Sequence, residues 1–185
     1  IYSNQNSFYN KAVQRIAVFK LPGRKNRIAK QLREKKFVEL IKDYYESDVV
    51  KQMDEYIQHG TTTTLKHCEN VAWISYLINE KLRLDADEKE LVEAAILHDL
   101  YIYDWHDGDP SRKTHGFDHP DIACSNAVKH FGISKKQQEA IRSHMWPLNI
   151  TKIPKSREAL IICLADKYCA LIETIRLNKH FGLRH

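Results

Sequence analysis

The apolar positions of this chain recur with the period of an α-helix over most of its length. The clearest case is a helix predicted for residues 64–83, which Thr61–Thr64 would cap at its start. Its apolar face is formed by positions three or four residues apart: His67, Val71, Ile74 and Ile78. Because His67 shares this face, its imidazole is expected to be buried.

The next predicted helix begins at Asp85 or Asp87 and ends in two polar residues. The run Leu91–Leu97 is apolar except for Glu93, and it closes on His98-Asp99. Burying an imidazole and a carboxylate without partners costs several kcal/mol. The pair therefore needs partners, and a cation would be one of the cheapest.

Six further helices are predicted from similar patterns and from start and stop signals. Three lie in the first third of the chain: residues 7–20, capped by Ser7; a segment after Asn26, with Ile28, Leu32, Val38 and Ile41 as its apolar positions; and a segment from Tyr44-Tyr45 to His59-Gly60. Two follow later, one from its cap Asp118 to Gly132 and one from the capping box Ser134–Gln137 to Pro147. The last covers residues 156–177. Residues 101–118 instead form a long polar and aromatic loop, and loops of this length are usually functional.

The fold class follows from these patterns and from the composition. Glycine (6) and proline (5) are scarce among 185 residues, which favours helices over a sheet with many tight turns. We therefore expect an all-α helical bundle. Residues 1–59 are expected to form an N-terminal helical arm and residues 60–185 the main domain.

The positive charge of the chain is concentrated in this arm. Residues 1–42 hold 11 Lys/Arg and 2 Glu, whereas the remainder holds 18 Lys/Arg and 22 Asp/Glu. Such a segment could contact nucleic acid or another anionic partner. The favoured interpretation is a solvated helical arm that packs on the body or on a second subunit of a homodimer.

Cysteine usage and hydropathy indicate the compartment. Cys68, Cys124, Cys163 and Cys169 form no Cys-x-x-Cys pair and lie among apolar neighbours, which is typical of core thiols in a reducing compartment. No apolar run approaches the ~20 residues of a membrane span, and no signal-peptide pattern opens the chain. A cytoplasmic location without a membrane partner is expected.

Six polar side chains fall on the inner faces of successive predicted helices. They are His67, His98, Asp99, His119, His144 and Asp166. Each alone has a structural explanation, such as a hydrogen-bonded core histidine or an ion-paired carboxylate. Together they need many buried partners that the apolar faces do not offer, whereas divalent metal binding satisfies all of them. Imidazoles and carboxylates suit Fe, Mn, Zn, Co or Mg.

The ordered set His67, His98-Asp99 and Asp166 resembles the HD-domain superfamily of metal-dependent phosphohydrolases over residues 60–177. The flanking segments 95–99, 144–147 and 164–167 also fit. With His119 and His144 the chain is similar to the two-metal subset, which includes phosphodiesterases, diadenosine tetraphosphate hydrolases and di-iron oxygenases. Pro120-Asp121 follows His119, so the Gly-Tyr-Pro element of the cyclic-dinucleotide phosphodiesterases is absent.

The resemblance implies an all-helical fold and a role for each ligand. His67, His98 and Asp166 would hold one metal, His119 and His144 a second, and Asp99 would bridge both. A metal-bridging hydroxide would then attack the phosphorus of a small phosphorylated substrate, such as a nucleotide or a phosphate ester.

Further site residues are expected in the loop and beside the last ligand. Arg112 and Lys113 could clamp a phosphate, and Lys167 could reach the rim of the cleft. His115 and Asp118 could support the ligands, act as an alternative ligand or donate a proton. The alternatives to a hydrolase are a di-iron oxygenase on the same scaffold and a non-catalytic module that binds nucleic acid or protein.

Overall fold

The computed structural model describes residues 27–181, and these residues form a helical bundle with one small hairpin. The elements are α1 (Arg27–Glu46), α2 (Asp48–Lys51), a 3₁₀ turn (Gln52–Glu55), β1 (Ile57–His59), β2 (Thr62–Thr63), α3 (Thr64–Leu82), α4 (Glu88–Leu97), a 3₁₀ turn (Pro110–Arg112), α5 (His115–Phe131), α6 (Lys135–Ser143) and α7 (Arg157–Phe181). The all-α prediction is confirmed. The helix predicted for residues 7–20 lies outside the described residues.

The starts of three helices follow from capping residues seen in the sequence. Thr63 caps α3 by accepting a hydrogen bond from the Lys66 amide (3.2 Å), and Asp87 caps α4 in the same way. Ser134 and Gln137 form the predicted capping box of α6. These caps set where α3, α4 and α6 begin, and therefore where their polar side chains lie.

Residues 57–63 are not helical, so the prediction of a helical segment up to His59-Gly60 was wrong. They form an antiparallel hairpin in which Ile57 pairs with Thr63 and His59 with Thr62. Gly60 has a φ of 62°, a left-handed conformation that turns the chain between the strands. The β-branched threonines that follow favour the extended backbone.

The start of α5 also differs from the prediction, because Asp118 is not its cap. The helix begins at His115, and the amides of Phe117 and Asp118 both donate to the Thr114 carbonyl (2.8 and 3.1 Å). Asp118 thus lies inside the first turn. The helix ends, as predicted, at Gly132, which is left-handed.

A single apolar core joins α1 to the rest of the described chain. Phe37 and Ile41 of α1 are buried with Val71 of α3, Leu91 of α4 and Ile162 of α7. The described part of the basic arm therefore packs on the body.

Two of the four predicted apolar positions of α1 are not buried. Ile28 and Leu32 are mostly exposed, because the core begins only at Phe37. Within the described residues, no helix combines the length and hydrophobicity needed to cross a bilayer. All four cysteines are buried free thiols.

Candidate metal centre

Five helices bring the six predicted ligand residues into one buried cluster. His67 lies on α3, His119 on α5 and Asp166 on α7, while His98 and His144 are the C-terminal caps of α4 and α6. Asp99 directly follows His98. None of the six is more than 8% exposed. The apolar helix faces that bury these residues also aim their side chains at one another.

On one side of the cluster, four side chains lie around a common point. The ligand atoms of His67, His98 and Asp99 are within 4.8 Å of one another, so these residues could hold a metal ion. Asp166 Oδ1 lies 3.0 Å from His67 Nε2 and 3.8 Å from His98 Nε2. Two imidazoles and two carboxylates thus converge on this side.

On the other side, Asp99 meets His119 and His144. Asp99 Oδ1 lies 3.2 Å from His119 Nε2 and 3.5 Å from His144 Nε2, and these three residues form a second group that could hold a metal ion. The other oxygen of Asp99, Oδ2, lies 3.4 Å from His98 Nε2. The two oxygens of this one carboxylate therefore face the two groups.

Hydrogen bonds to the main chain fix three of the imidazoles in the orientation of a metal ligand. The Nδ1–H groups of His98, His119 and His144 donate to carbonyls three or four residues earlier, at 2.8, 2.6 and 2.7 Å. A carbonyl only accepts, so Nδ1 carries the proton and Nε2 faces the cluster. This is how a metal-binding histidine is held by its surroundings.

The buried polar atoms of the cluster fit a cation. The Nε2 atoms of His119 and His144 are only 2.9 Å apart, and burial lowers the pKa of His144 to about 3. Because Nδ1 carries the ring proton in both residues, their two Nε2 atoms face each other and could bind one cation together. His98 Nε2 and Asp99 Oδ1 are also buried without a hydrogen-bond partner.

His67 differs from the other three histidines because both of its nitrogens face carboxylates. Nδ1 is 2.9 Å from Glu173 Oε2, and Nε2 is 3.0 Å from Asp166 Oδ1. Burial lowers the pKa of His67, but these two hydrogen bonds outweigh burial and raise it to about 10. Burial raises the pKa of Asp99, but the neighbouring His98 and His119 outweigh it and hold that pKa well below its usual value.

Two residues that contact the ligands were not predicted from the sequence. Gln58 of β1 donates from Nε2 to Asp99 Oδ2 (2.7 Å), and Glu173 of α7 accepts from His67. Glu173 lies seven residues after Asp166, two turns along the same helix face, so its spacing could have revealed it. Gln58 lies in the hairpin that was predicted to be helical, and no periodic signal marks it.

His115 lies beside the cluster and supports His119. Its carbonyl accepts the Nδ1–H of His119, its ring stacks on the His119 ring at 4.6 Å, and Trp105 stacks on it at 4.9 Å. Its Nδ1 shares a hydrogen bond with the Tyr103 hydroxyl (2.9 Å). Burial and the neighbouring His119 lower the pKa of His115 to about 4, so its ring is neutral at neutral pH.

The four remaining candidate residues occupy different environments. Lys167 lies at the rim of the cluster, where Nζ donates to the His144 carbonyl (2.8 Å) and is 3.8 Å from Asp166 Oδ2. Arg112 is engaged within its own loop, where it bonds to the Asp104 carbonyl and packs over the Tyr103 ring at 4.7 Å. Lys113 and Asp118 are exposed.

Comparison with known proteins gives a family and no individual relative. Neither the curated proteins nor the solved structures include a match to this chain. The family model described as HD domain matches residues 64–171, which is more than half of the chain and includes all six clustered residues. The chain therefore belongs to the HD domain family, within the superfamily of metal-dependent phosphohydrolases.

Proposed function

We propose that this protein is a metal-dependent phosphohydrolase that acts on a small phosphorylated substrate, such as a nucleotide or a phosphate ester. The observation that carries the proposal is the pair of facing Nε2 atoms of His119 and His144, 2.9 Å apart beside Asp99 Oδ1. A divalent ion held by these two Nε2 atoms and Asp99 Oδ1 would satisfy all three buried atoms. Membership of the HD domain family supports a metal-dependent hydrolase as the reaction class.

The residues divide between two divalent ions, for which Fe, Mn, Zn, Co and Mg are all chemically suitable. His67, His98 and Asp166 would hold one ion, His119 and His144 the other, and Asp99 would bind both through its two oxygens. Bound cations supply Lewis acidity, which brings the pKa of a coordinated water toward neutrality and offsets charge on the phosphoryl oxygens.

The other residues prepare the site for an anion. Imidazoles keep the negative charge of the cluster low, so that a phosphate can approach. Lys167 at the rim would contact a phosphoryl oxygen, and Gln58 donates to Asp99 Oδ2 and so restricts the orientation of this carboxylate. Hydrolysis breaks a phosphorus–oxygen bond, and the leaving oxygen takes up a proton. His115 supports His119, and the exposed Asp118, next to His119 in the sequence, is proposed as a source of this proton.

The experiment combines metal analysis with a substrate panel. The full chain is stripped with a chelator, reloaded separately with Mn²⁺, Co²⁺ or Fe²⁺, and assayed for phosphate or nucleotide release from a broad set of phosphoesters. Turnover should require metal, disappear in Asp99→Ala, and persist in Asp48→Ala, whose carboxylate is 96% exposed on α2.

Two results would contradict the proposal. One is a metal-loaded protein that turns over no member of the panel although Asp99→Ala abolishes metal binding. The other is oxygen consumption by the iron-loaded protein without any release of phosphate, which would indicate the di-iron oxygenase instead.

A further inference from the structure

The four imidazoles of the cluster differ in what holds their Nδ1–H groups. Those of His98, His119 and His144 donate to neutral main-chain carbonyls. Only His67, among these four, is bonded at Nδ1 to a carboxylate, that of Glu173 at 2.9 Å. Glu173 lies beyond the residues that the family model matches, so family membership assigns it no role.

The Glu173 carboxylate is itself held in place. Its side chain is 3% exposed, and its second oxygen accepts a hydrogen bond from Asn70 Nδ2 at 2.8 Å. Asn70 lies one turn after His67 on α3, so one helix supplies both partners. The carboxylate thus bonds along a defined direction to His67 and cannot turn away without losing both bonds.

A carboxylate behind an imidazole strengthens the metal bond made by the opposite nitrogen. The negative charge increases the basicity of that nitrogen and fixes the direction of its lone pair, and loss of such a partner costs 10–100-fold in metal affinity. The His67 side of the cluster also includes Asp166, whereas the His119 and His144 side has only the shared Asp99. The two sides therefore differ in charge and in ligand strength.

We propose that Glu173 is a positioning residue for metal binding. Acting through His67, it makes the His67–His98–Asp166 side the tighter of two unequal metal sites. The proposal rests on the metal sites of the proposed function. It predicts that the ions load in order, first beside His67 and then between His119 and His144.

The substitution Glu173→Gln removes the charge and can keep both hydrogen bonds. The Gln carbonyl oxygen accepts from His67 Nδ1–H, and its amide then needs an acceptor on Asn70. Asn70 Oδ1 is buried without a hydrogen-bond partner, so a flip of the Asn70 amide provides one. Asn70→Ala is the matched control, because it removes a bond to Glu173 and leaves the Glu173–His67 bond in place.

In the test, metal is first removed from the chain with a chelator. The metal-free chain is then titrated with Mn²⁺ alone in a calorimeter, with no substrate present. The parent should bind two ions with different affinities. Glu173→Gln should weaken the tighter ion 10–100-fold, leave the weaker ion unchanged, and unfold at the same temperature as the parent when metal-free. Asn70→Ala should weaken the tighter ion less than Glu173→Gln does.

Three other results would contradict three separate claims: the role of Glu173, the unequal affinity of the two metal sites, and the proposed function. Unchanged affinities in Glu173→Gln, or an equal loss for both ions together with a lower unfolding temperature, would show that Glu173 has no specific role. Two ions of equal affinity in the parent would overturn the unequal sites. A parent that binds no Mn²⁺ in this titration, and no Co²⁺ or Fe²⁺ in the loading experiment of the previous subsection, would overturn the proposed function as well.

Discussion

Metal binding on the His67 side should tighten at least about 100-fold when the pH rises from 6.5 to 8.5. In the metal-free protein, hydrogen bonds to Asp166 and Glu173 overcome the opposing effect of burial and raise the pKa of His67 to about 10. A histidine must lose its Nε2 proton to bind a metal, so the ion and the proton compete.

The expected magnitude follows from the distance between the pH and this pKa. Each unit corresponds to about 1.4 kcal/mol, so removing the His67 proton costs about 5 kcal/mol at pH 6.5 and about 2 kcal/mol at pH 8.5. The difference is about tenfold in the dissociation constant per pH unit. The pKa of His98 also lies well above its usual value, chiefly because the neighbouring Asp99 overcomes the effect of burial, and it adds to the trend in the same direction.

Isothermal titration with Mn²⁺, under inert gas and in two buffers of different ionisation enthalpy, measures both the affinity and the protons released. The tighter ion should release at least one proton across this range. His144 provides an internal comparison, because burial lowers its pKa to about 3 and its Nε2 carries no proton that a metal must displace. An affinity independent of pH, without proton release, would refute the reasoning.

Three substitutions test other parts of the structure. His144→Ala should leave a folded protein that holds one ion fewer by elemental analysis, and equal metal content in variant and parent would rule out its role as a ligand. Ser134→Ala should lower the free energy of unfolding by about 1 kcal/mol in urea titrations, because it breaks the capping box of α6, and an unchanged midpoint would contradict this. Arg83→Gly should raise the free energy of unfolding by about 0.5–1 kcal/mol, because Arg83 ends α3 with a φ of 52°; a decrease would show that the left-handed conformation is not strained.

The sequence could predict the ligand candidates because each lies on, or directly after, a helix face whose other members are apolar. His67 shares a stripe with Val71 and Ile74, and the structure buries all three. The same argument applied to α7 would have found Glu173, because residues seven positions apart, such as Asp166 and Glu173, lie on the same face of a helix. The helices themselves were predictable where a local capping signal marks their start.

Contacts between distant segments could not be predicted in this way. Gln58 and Asp99 are 41 residues apart, and only the hairpin brings them together. Arg112 shows a second limit of prediction from sequence. Its position in a polar loop suggested phosphate binding, but its guanidinium pairs with Asp107 of the same loop. The sequence shows that a charged side chain is present, but not whether it already forms an ion pair with another residue of the protein.

The position of Gln58 and Glu173 affects how this domain can be cut for experiments. The family model spans residues 64–171 and includes all six clustered residues, yet the groups that hold Asp99 and His67 in place lie six residues before it and two residues after it. A fragment trimmed to the match would keep every candidate ligand and lose the side chains that orient two of them. The smallest useful fragment starts before β1 and extends at least one turn past Glu173.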